Sequence, residues 1–125
     1  RQMCIRDRLD APCSALGTFR RNPDVTVKID PSQIKKHQKT QIQMLEKSLK
    51  ILNNGGFLVY IVCSFHPFET IDVIDKIIQK HKNVKIHNIA TDKMIKRQNG
   101  YFINPLSFKD IGGADIFFVS VIEKI

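Results

Sequence analysis

The sequence lacks most of the features that mark membrane proteins and disulfide-rich proteins. It has no tryptophan, and no apolar run approaches the roughly 18–20 residues that a membrane-spanning helix needs. The N-terminus shows no apolar core of a signal peptide. Three cysteines (Cys4, Cys13 and Cys63) are too few and too separated for a disulfide framework, and they lack the CxxC spacing of zinc sites. We therefore expect a reduced, cytoplasmic protein with neither a membrane segment nor a metal.

Acidic residues are scarce relative to basic ones. The chain carries 12 Asp and Glu against 20 Lys and Arg, and its formal net charge is +8. Such a balance favours a polyanionic partner, either a nucleic acid or an acidic surface. With 125 residues, of which 42% are hydrophobic, the chain is long enough for one compact domain and too short for two.

The first eight residues, RQMCIRDR, differ from the lysine- and isoleucine-rich remainder. They hold three of the six arginines and show no strand or helix periodicity. We interpret residues 1–8 as a non-native leader and leave them out of the fold prediction, which concerns residues 9–125.

The first part of the remaining chain predicts a strand, a loop and a helix. Residues 9–12 indicate the end of a buried strand, and residues 13–31 form a loop with glycine and proline. The Asp-Pro-Ser sequence at 30–32 predicts a helix start, and apolar residues at helical spacing extend the helix over 33–52. The Asn-Gly-Gly sequence at 54–56 is expected to stop it with residues that adopt positive φ.

The second part alternates between strands and helices. The apolar run FLVYIVC at 57–63 predicts a strand buried on both faces. A second amphipathic helix is predicted over 68–81, a strand over 83–90 and a last strand over 114–124, whereas 91–114 is irregular apart from a short GYFINP. This order predicts an α/β fold with an open, mostly parallel sheet.

Two cysteines fall at the carboxyl ends of consecutive predicted strands. Asp10 and Cys13 follow the first strand, and Cys63 ends the next. Ligands of open α/β sheets bind outside the carboxyl ends of the strands, so we expect these three side chains to converge on one crevice.

The segments that carry the cysteines also carry a family resemblance. The chain reads DAPCSALGTFRRNPD at 10–24, LNNGGFLVYIVCSFHPFE at 52–69 and DIFF at 115–118. These resemble the patterns DAPCSG, GGxLVYxTCSxxPEENE and DGFF of the RNA cytosine-5 methyltransferases. Within them the chain is most similar to the bacterial Sun/Fmu type, which modifies small-subunit ribosomal RNA. The resemblance implies that residues 9–125 are the C-terminal part of a class I, Rossmann-like methyltransferase domain that uses S-adenosylmethionine.

The resemblance also implies a role for each matching residue. Cys63 would be the thiolate that adds to C6 of cytosine, and Cys13 would assist release of the methylated base from that adduct. Asp10 would contact S-adenosylmethionine and the cytosine ring edge. Arg20 and Arg21 would contact phosphates of the substrate, ribosomal RNA.

The chain departs from the family pattern at several positions. Ala15 stands for the usual glycine, which we take as a small change, and Val62 stands for the threonine before the nucleophile. Of the three acidic residues in the PEENE pattern, this chain keeps one, at Glu69. Ile116 stands in place of the glycine of DGFF. The Gly-rich cofactor loop and the N-terminal RNA-binding region have no counterpart here, so we expect this piece alone to be inactive.

Other interpretations of the same residues remain open. A free cysteine is more often a core residue than a nucleophile, and the lysines of the first predicted helix suit a solvated face. His66 is expected to solvate the turn after Cys63 rather than to lower its pKa. The alternatives for the whole chain are a non-catalytic RNA-binding remnant, and a methyltransferase for another substrate whose thiols are structural.

Overall fold

The computed structural model describes residues 4–19, 21–27, 30–89, 94–103 and 115–125, and over 4–10 it describes the backbone alone. Its helices and strands are β1 Cys4–Asp10, α1 Pro31–Ile51, β2 Leu52–Val62, α2 Ile71–Lys80, β3 Val84–His87, β4 Ile95–Arg97, β5 Gly100–Ile103 and β6 Phe117–Lys124. Three short 3-10 helices connect them at Leu16–Thr18, Pro23–Thr26 and Pro67–Glu69.

Strand β1 begins inside the segment that we set apart as a leader. Cys4 pairs with Leu52, and Arg6 to Asp10 run parallel to the first half of β2. Residues 4–8, which we left out of the fold prediction, are therefore part of the sheet. The charged residues at 6–8 show no alternation of apolar and polar side chains, so the sequence pattern does not indicate a strand. The strand forms because its backbone pairs by hydrogen bonds with β2. A non-native origin of this segment stays a prediction.

Helix α1 confirms the predicted helix but ends before the glycines. The Asp30 carboxylate caps the first turn by accepting a hydrogen bond from the Ser32 N–H at 3.0 Å. The helix ends at Ile51, and β2 starts at the next residue. The glycines thus lie inside β2. Residues 53–56 form a bulge in the pairing with β1, between the pairs Cys4–Leu52 and Arg6–Phe57. Gly55 adopts a φ of 82°, as a stop signal would, but it serves this bulge.

The sheet has the order β1-β2-β6-β5-β4, and β3 pairs with β6. Only the β1–β2 pair is parallel among the described strands; β6 is antiparallel to β2, β3 and β5. The expectation of a mostly parallel sheet is wrong for a topological reason. β2 and β3 point in the same direction, as a strand-helix-strand unit requires, but the last strand of the chain lies between them. The α/β class itself is confirmed, since α1 and α2 alternate with β2 and β3.

The core lies between one face of the sheet and both helices. Residues of β2 alternate between fully buried and half-buried, so the expectation of a strand buried on both faces holds for one face only. The fully buried set packs in one cluster that comprises Leu45, Leu58, Tyr60, Val62, Val73, Ile74, Ile77, Phe118 and Ile122. Each such aliphatic side chain stabilises the fold by about 1.5–3 kcal/mol relative to exposure.

The remaining predicted elements appear with shorter bounds. Helix α2, β3 and β6 lie within their predicted ranges. The region taken as irregular contains the β4–β5 hairpin, with Asn99 at a φ of 61° in its turn, and residues 104–114 lie outside the described chain. In the described ranges no helix combines the length and the apolarity needed to cross a membrane.

Candidate active site

The two cysteines meet at the edge of the sheet where β1 and β2 end. Because β1 and β2 are parallel neighbours, with Asp10 paired to Ile61, the residues that follow them leave the sheet side by side. The sulfur atoms of Cys13 and Cys63 are 3.4 Å apart, and neither is in a disulfide. The sequence thus predicted this juxtaposition of thiols. Asp10 ends β1 at the same edge, with its backbone alone described.

The loop after Cys13 is fastened to both neighbouring strands by Gly17. Its N–H donates to the Cys63 carbonyl oxygen at 2.9 Å, and its carbonyl accepts from the Ile116 N–H at 2.9 Å. A Cβ atom at this position would lie 1.9 Å from the Ile116 carbonyl oxygen. Only glycine fits, so Gly17 sets the distance between the Cys13 loop and the two strands.

Ala15 lies in the left-handed region of the backbone. Its φ and ψ are 61° and 26°, immediately before the Leu16–Thr18 turn. The Thr18 hydroxyl donates to the Ala15 carbonyl oxygen at 2.7 Å and thereby fixes this turn. The replacement of the family's glycine is consequently not a small change, because a Cβ atom is disfavoured in this conformation.

A buried glutamate connects the residues that follow the two cysteines. The Glu69 side chain is fully buried and accepts from the Ser14 N–H at 2.8 Å and from the Ser14 hydroxyl at 2.6 Å. The Ser14 hydroxyl bonds Oε2 of Glu69, and the same oxygen also accepts from the Ser64 hydroxyl at 2.5 Å. Ser14 follows Cys13 and Ser64 follows Cys63, so one carboxyl group joins both cysteine loops.

The residue that precedes Cys13 is held from helix α1. The Gln41 amide NH₂ donates to the Pro12 carbonyl oxygen at 2.8 Å, and the Gln41 side chain is fully buried. Its Oε1 has no hydrogen-bond partner among the described residues. Cys13 therefore lies between two anchored neighbours, Pro12 and Ser14.

The electrostatic environment keeps Cys13 protonated. The hydrogen bond with Cys63, and after it burial, raises the pKa of the Cys13 thiol far above its usual range. Burial likewise raises the pKa of Tyr60, whose hydroxyl donates to the Glu69 backbone carbonyl oxygen at 2.9 Å. At neutral pH the Cys13 sulfur is a thiol that can donate a hydrogen bond to its neighbour.

The predicted phosphate-binding arginines are only partly described. The Arg21 side chain is 64% exposed, and its Nε donates to the Asp115 carboxylate at 2.8 Å. That ion pair ties the Cys13 loop to the residues before β6. Arg20 lies outside the described residues.

Aromatic side chains flank the cysteine edge. Phe19 and Phe65 are partly exposed and make an edge-on contact with ring centroids 6.2 Å apart. The His66 Nδ1 accepts from the Phe68 N–H at 3.1 Å, and its ring packs against the Phe68 ring. The His66 ring is therefore a bonded part of the turn that precedes α2.

Two cavities lie apart from the thiols. One of about 450 Å³ is lined by α1 and α2, one of about 280 Å³ lies beside the β4–β5 turn, and neither is lined by a cysteine. Within the described ranges, no three His, Cys, Asp or Glu side chains are grouped so as to hold a metal ion.

Sequence reasoning missed the residues that hold the thiols in place. Ser14, Ser64 and Gln41 were not singled out, and Glu69 was noted only as a surviving acidic residue. One signal was available, because the same Cys-Ser dipeptide follows both strands. Nothing in the spacing of α1 indicates that Gln41 reaches Pro12.

Similar folds occur in solved structures of methyltransferases. The chain superposes on NSun6 from Pyrococcus horikoshii with SFG with a TM-score of 0.74 and 23% identity, covering 94% of this chain and 29% of that one. A methyltransferase homolog protein from Pyrococcus horikoshii gives a TM-score of 0.76 and 26% identity, covering 97% and 39%. The fold is therefore the Rossmann-like fold of the S-adenosylmethionine-dependent methyltransferases.

The family follows from the sequence comparison. The profile described as 16S rRNA methyltransferase RsmB/F matches residues 3–122, and the chain belongs to this family. It is 31% identical over 123 residues to ribosomal RNA small subunit methyltransferase B of Photorhabdus laumondii, covering 98% of this chain and 27% of the relative. The protein of that name from Thermus thermophilus is 27% identical over 118 residues, covering 94% and 28%. The chain thus spans little more than a quarter of these relatives.

Proposed function

We propose that this chain is the C-terminal part of an enzyme that transfers a methyl group from S-adenosylmethionine to C5 of a cytosine in ribosomal RNA. The observation that carries the proposal is the pair of thiols 3.4 Å apart at the carboxyl edge of the sheet. Membership of a 16S rRNA methyltransferase family supports the substrate class. Two adjacent thiols suit a reaction in which the target carbon must first be activated by addition of a nucleophile.

Cys63 acts as the nucleophile in this proposal. Its thiolate adds to C6 of the cytosine, and the electrons of the C5–C6 double bond become available at C5. Once C5 has formed its bond to the methyl group, loss of the C5 proton to a base re-forms the double bond. The bond from C6 to Cys63 then breaks, and its electrons return to the Cys63 sulfur. The raised pKa of Cys13, caused first by its hydrogen bond with Cys63, is consistent with a Cys13 sulfur that stays protonated beside the nucleophile.

Cys13 assists the release step. As a thiol within hydrogen-bonding distance of the Cys63 sulfur, it can stabilise the thiolate that departs from C6. Gln41 and Glu69 hold the residues on either side of Cys13, which supports a role that needs a fixed sulfur position.

Asp10 is the proposed contact of this chain with S-adenosylmethionine. Bound there, the cofactor supplies an electrophilic methyl group. The position of Asp10 fits such a ligand, because its backbone ends β1 beside Ile61, two residues before Cys63. A group held at Asp10 adjoins the thiols. Arg20 and Arg21 are the proposed phosphate contacts, and the exposed Arg21 side chain uses Nε for its ion pair with Asp115.

The proposal is tested by methyl transfer in the longer enzyme that contains this chain. Labelled S-adenosylmethionine and small-subunit ribosomal RNA are incubated with wild type and Cys63→Ser. We expect loss of transfer by about 100-fold or more, since serine is a far weaker nucleophile without a dedicated base. A matched control is Ser120→Ala, a buried hydroxyl on β6 that bonds the Asn99 carbonyl oxygen away from the thiols. Near wild-type transfer by Cys63→Ser contradicts the proposal, and RNA binding without transfer by wild type indicates a non-catalytic remnant.

A further inference from the structure

Glu69 is a fully buried acidic side chain that takes no part in the bond changes proposed above. It makes three side-chain hydrogen bonds, to the Ser14 N–H, the Ser14 hydroxyl and the Ser64 hydroxyl. All three donors point at its carboxyl oxygens, so the group functions as an acceptor. An acidic group so buried is costly to desolvate and persists only where such donors satisfy it.

The bonds to Glu69 connect parts of the chain that are far apart in sequence. Ser14 belongs to the loop after β1 and Ser64 to the turn after β2, and they are separated by 50 residues. Each serine is the immediate neighbour of a cysteine. The bond lengths of 2.5–2.8 Å fall in the range of charge-assisted hydrogen bonds, which are stronger and more directional than neutral ones.

The backbone of Glu69 has its own anchor. Its carbonyl oxygen accepts from the Tyr60 hydroxyl in the core, and its N–H donates to the His66 carbonyl oxygen in the Pro67–Glu69 turn. The carboxyl group is consequently not needed to form the turn before α2. Its described hydrogen bonds all go to the cysteine loops, and the His37 ring beside it, 3.4 Å away, lies on α1.

We propose that Glu69 is a positioning residue that sets the separation of the Cys13 and Cys63 sulfur atoms by bracing Ser14 against Ser64. This inference rests on the proposed function for its consequence in catalysis, but the bracing itself requires neither RNA nor cofactor. Removing the acceptor frees two serine hydroxyls and one N–H, and the two loops then hold the sulfurs over a wider range of distances.

The bracing is measured as the effective concentration of one thiol relative to the other, which is the equilibrium constant for forming the Cys13–Cys63 disulfide from glutathione disulfide. In glutathione buffers, one glutathione disulfide oxidises the two thiols to a Cys13–Cys63 disulfide and leaves as two reduced glutathiones. The disulfide fraction is quantified by mass spectrometry of the digested longer enzyme. For Glu69→Gln we expect the effective concentration to fall about tenfold, the effect of one lost charge-assisted hydrogen bond. Ser14→Ala is a second, milder variant that is also expected to lower the effective concentration. Ser14→Thr keeps the hydroxyl and is expected to keep the effective concentration near the wild-type value.

The matched control is Glu46→Gln, a glutamate on α1 whose partners Lys80 and His81 lie on and after α2. It is expected to leave the effective concentration unchanged. In methyl transfer, Glu69→Gln should lower kcat while the KM for RNA stays within about twofold, because positioning acts on the reacting atoms and not on RNA binding.

Two outcomes overturn the inference. Glu69→Gln and Ser14→Ala could both keep the wild-type effective concentration, or Glu46→Gln could lower it as much, in which case Glu69 contributes to stability alone. A failure of the proposed function is distinguishable from both. Wild-type enzyme that transfers no methyl group, combined with a lowered effective concentration in Glu69→Gln, sinks the methyltransferase proposal and supports the brace.

Discussion

Ala15 occupies a backbone position that favours glycine. With φ at 61°, the Cβ atom of Ala15 adds strain of about 1–2 kcal/mol to the folded state. Replacing Ala15 by glycine removes this strain, but glycine has more conformational freedom in the unfolded chain, which costs about 0.5–1 kcal/mol. We therefore predict that Ala15→Gly raises the free energy of unfolding by about 0.5–1 kcal/mol, measured by urea denaturation.

The reciprocal control is Gly55→Ala. Gly55 has a φ of 82° and open space around its Cα, so the new methyl group meets strain without a clash. This variant should be destabilised. An Ala15→Gly variant less stable than wild type would show that the turn after Cys13 does not carry the strain.

The Cys13 thiol makes stability depend on alkaline pH. Its folded-state pKa is raised above the ordinary value of 9.0, first by the hydrogen bond with Cys63 and then by burial. Below pH 9 the thiol is protonated in both states and its contribution is fully present. Above pH 9 the unfolded chain loses the proton more readily, so stability falls as pH rises.

We predict that Cys13→Ser flattens this alkaline decline. The difference in slope between wild type and variant should be below about 1.4 kcal/mol per pH unit, because the partly exposed site screens it. Urea denaturation from about pH 8 to about pH 10.5 measures the slope. Burial, the first cause of the raised pKa of Tyr60, acts in both proteins, so most of the Tyr60 contribution cancels. Parallel slopes would contradict the assigned environment of Cys13.

At the scale of elements, α1 holds the site through one buried face. Leu45 is fully buried against β2 and α2, and Gln41, one turn earlier, holds Pro12. Leu45→Ala should lower the free energy of unfolding by about 2–5 kcal/mol, the usual effect of a core cavity. Ile51→Ala, at a position 57% exposed, is the control and should change it by less than about 0.5 kcal/mol. Equal effects of the two variants would mean that α1 is not packed as described.

The helices and the central strand could be predicted because local patterns specify them. Apolar spacing and the Asp30 cap mark α1, and the continuous apolar run marks β2. The position of β6 between β2 and β3 could not be predicted, since pairing of distant strands leaves no local signal. Strand β1 was missed because backbone pairing, and not side-chain alternation, makes it a strand.

The same division applies to the site. The thiol pair follows from two strand ends, so the sequence predicted it. The brace through Glu69 and the anchor through Gln41 depend on how a turn and a helix dock on the loops, and no spacing rule reports that. The strain at Ala15 follows from a backbone angle that only the structure supplies.

At the scale of the molecule, the central strand β2 is paired on both sides, because β1 and β6 flank it. Among the described strands, β1 and β4 lie at the two ends of the sheet order. One face of β2 and β6 stays half-buried, and this surface includes Val59, Ile61, Val119 and Val121. We predict that the isolated chain self-associates through such apolar surface, as light scattering would show, and a clean monomer would refute this.

Cofactor binding by the isolated chain should be weak or undetectable. A Rossmann-type sheet holds its cofactor mainly through a Gly-rich turn and an acidic residue after the second strand. This sequence has no Gly-rich turn of that kind, and Asp10 is its one proposed contact. Calorimetric titration with S-adenosylmethionine tests the expectation, and micromolar binding would show that the 125 residues form a site of their own.

The division of roles between the two thiols is tested most directly by trapping the adduct. The longer enzyme carrying Cys13→Ala is incubated with S-adenosylmethionine and ribosomal RNA, then run on a denaturing gel beside wild type, Cys63→Ser and the double variant. If Cys63 attacks and Cys13 assists release, Cys13→Ala accumulates a slow-migrating protein–RNA band that disappears when Cys63 is also replaced. The account is contradicted if Cys13→Ala turns over normally without a band, or if the band persists without Cys63.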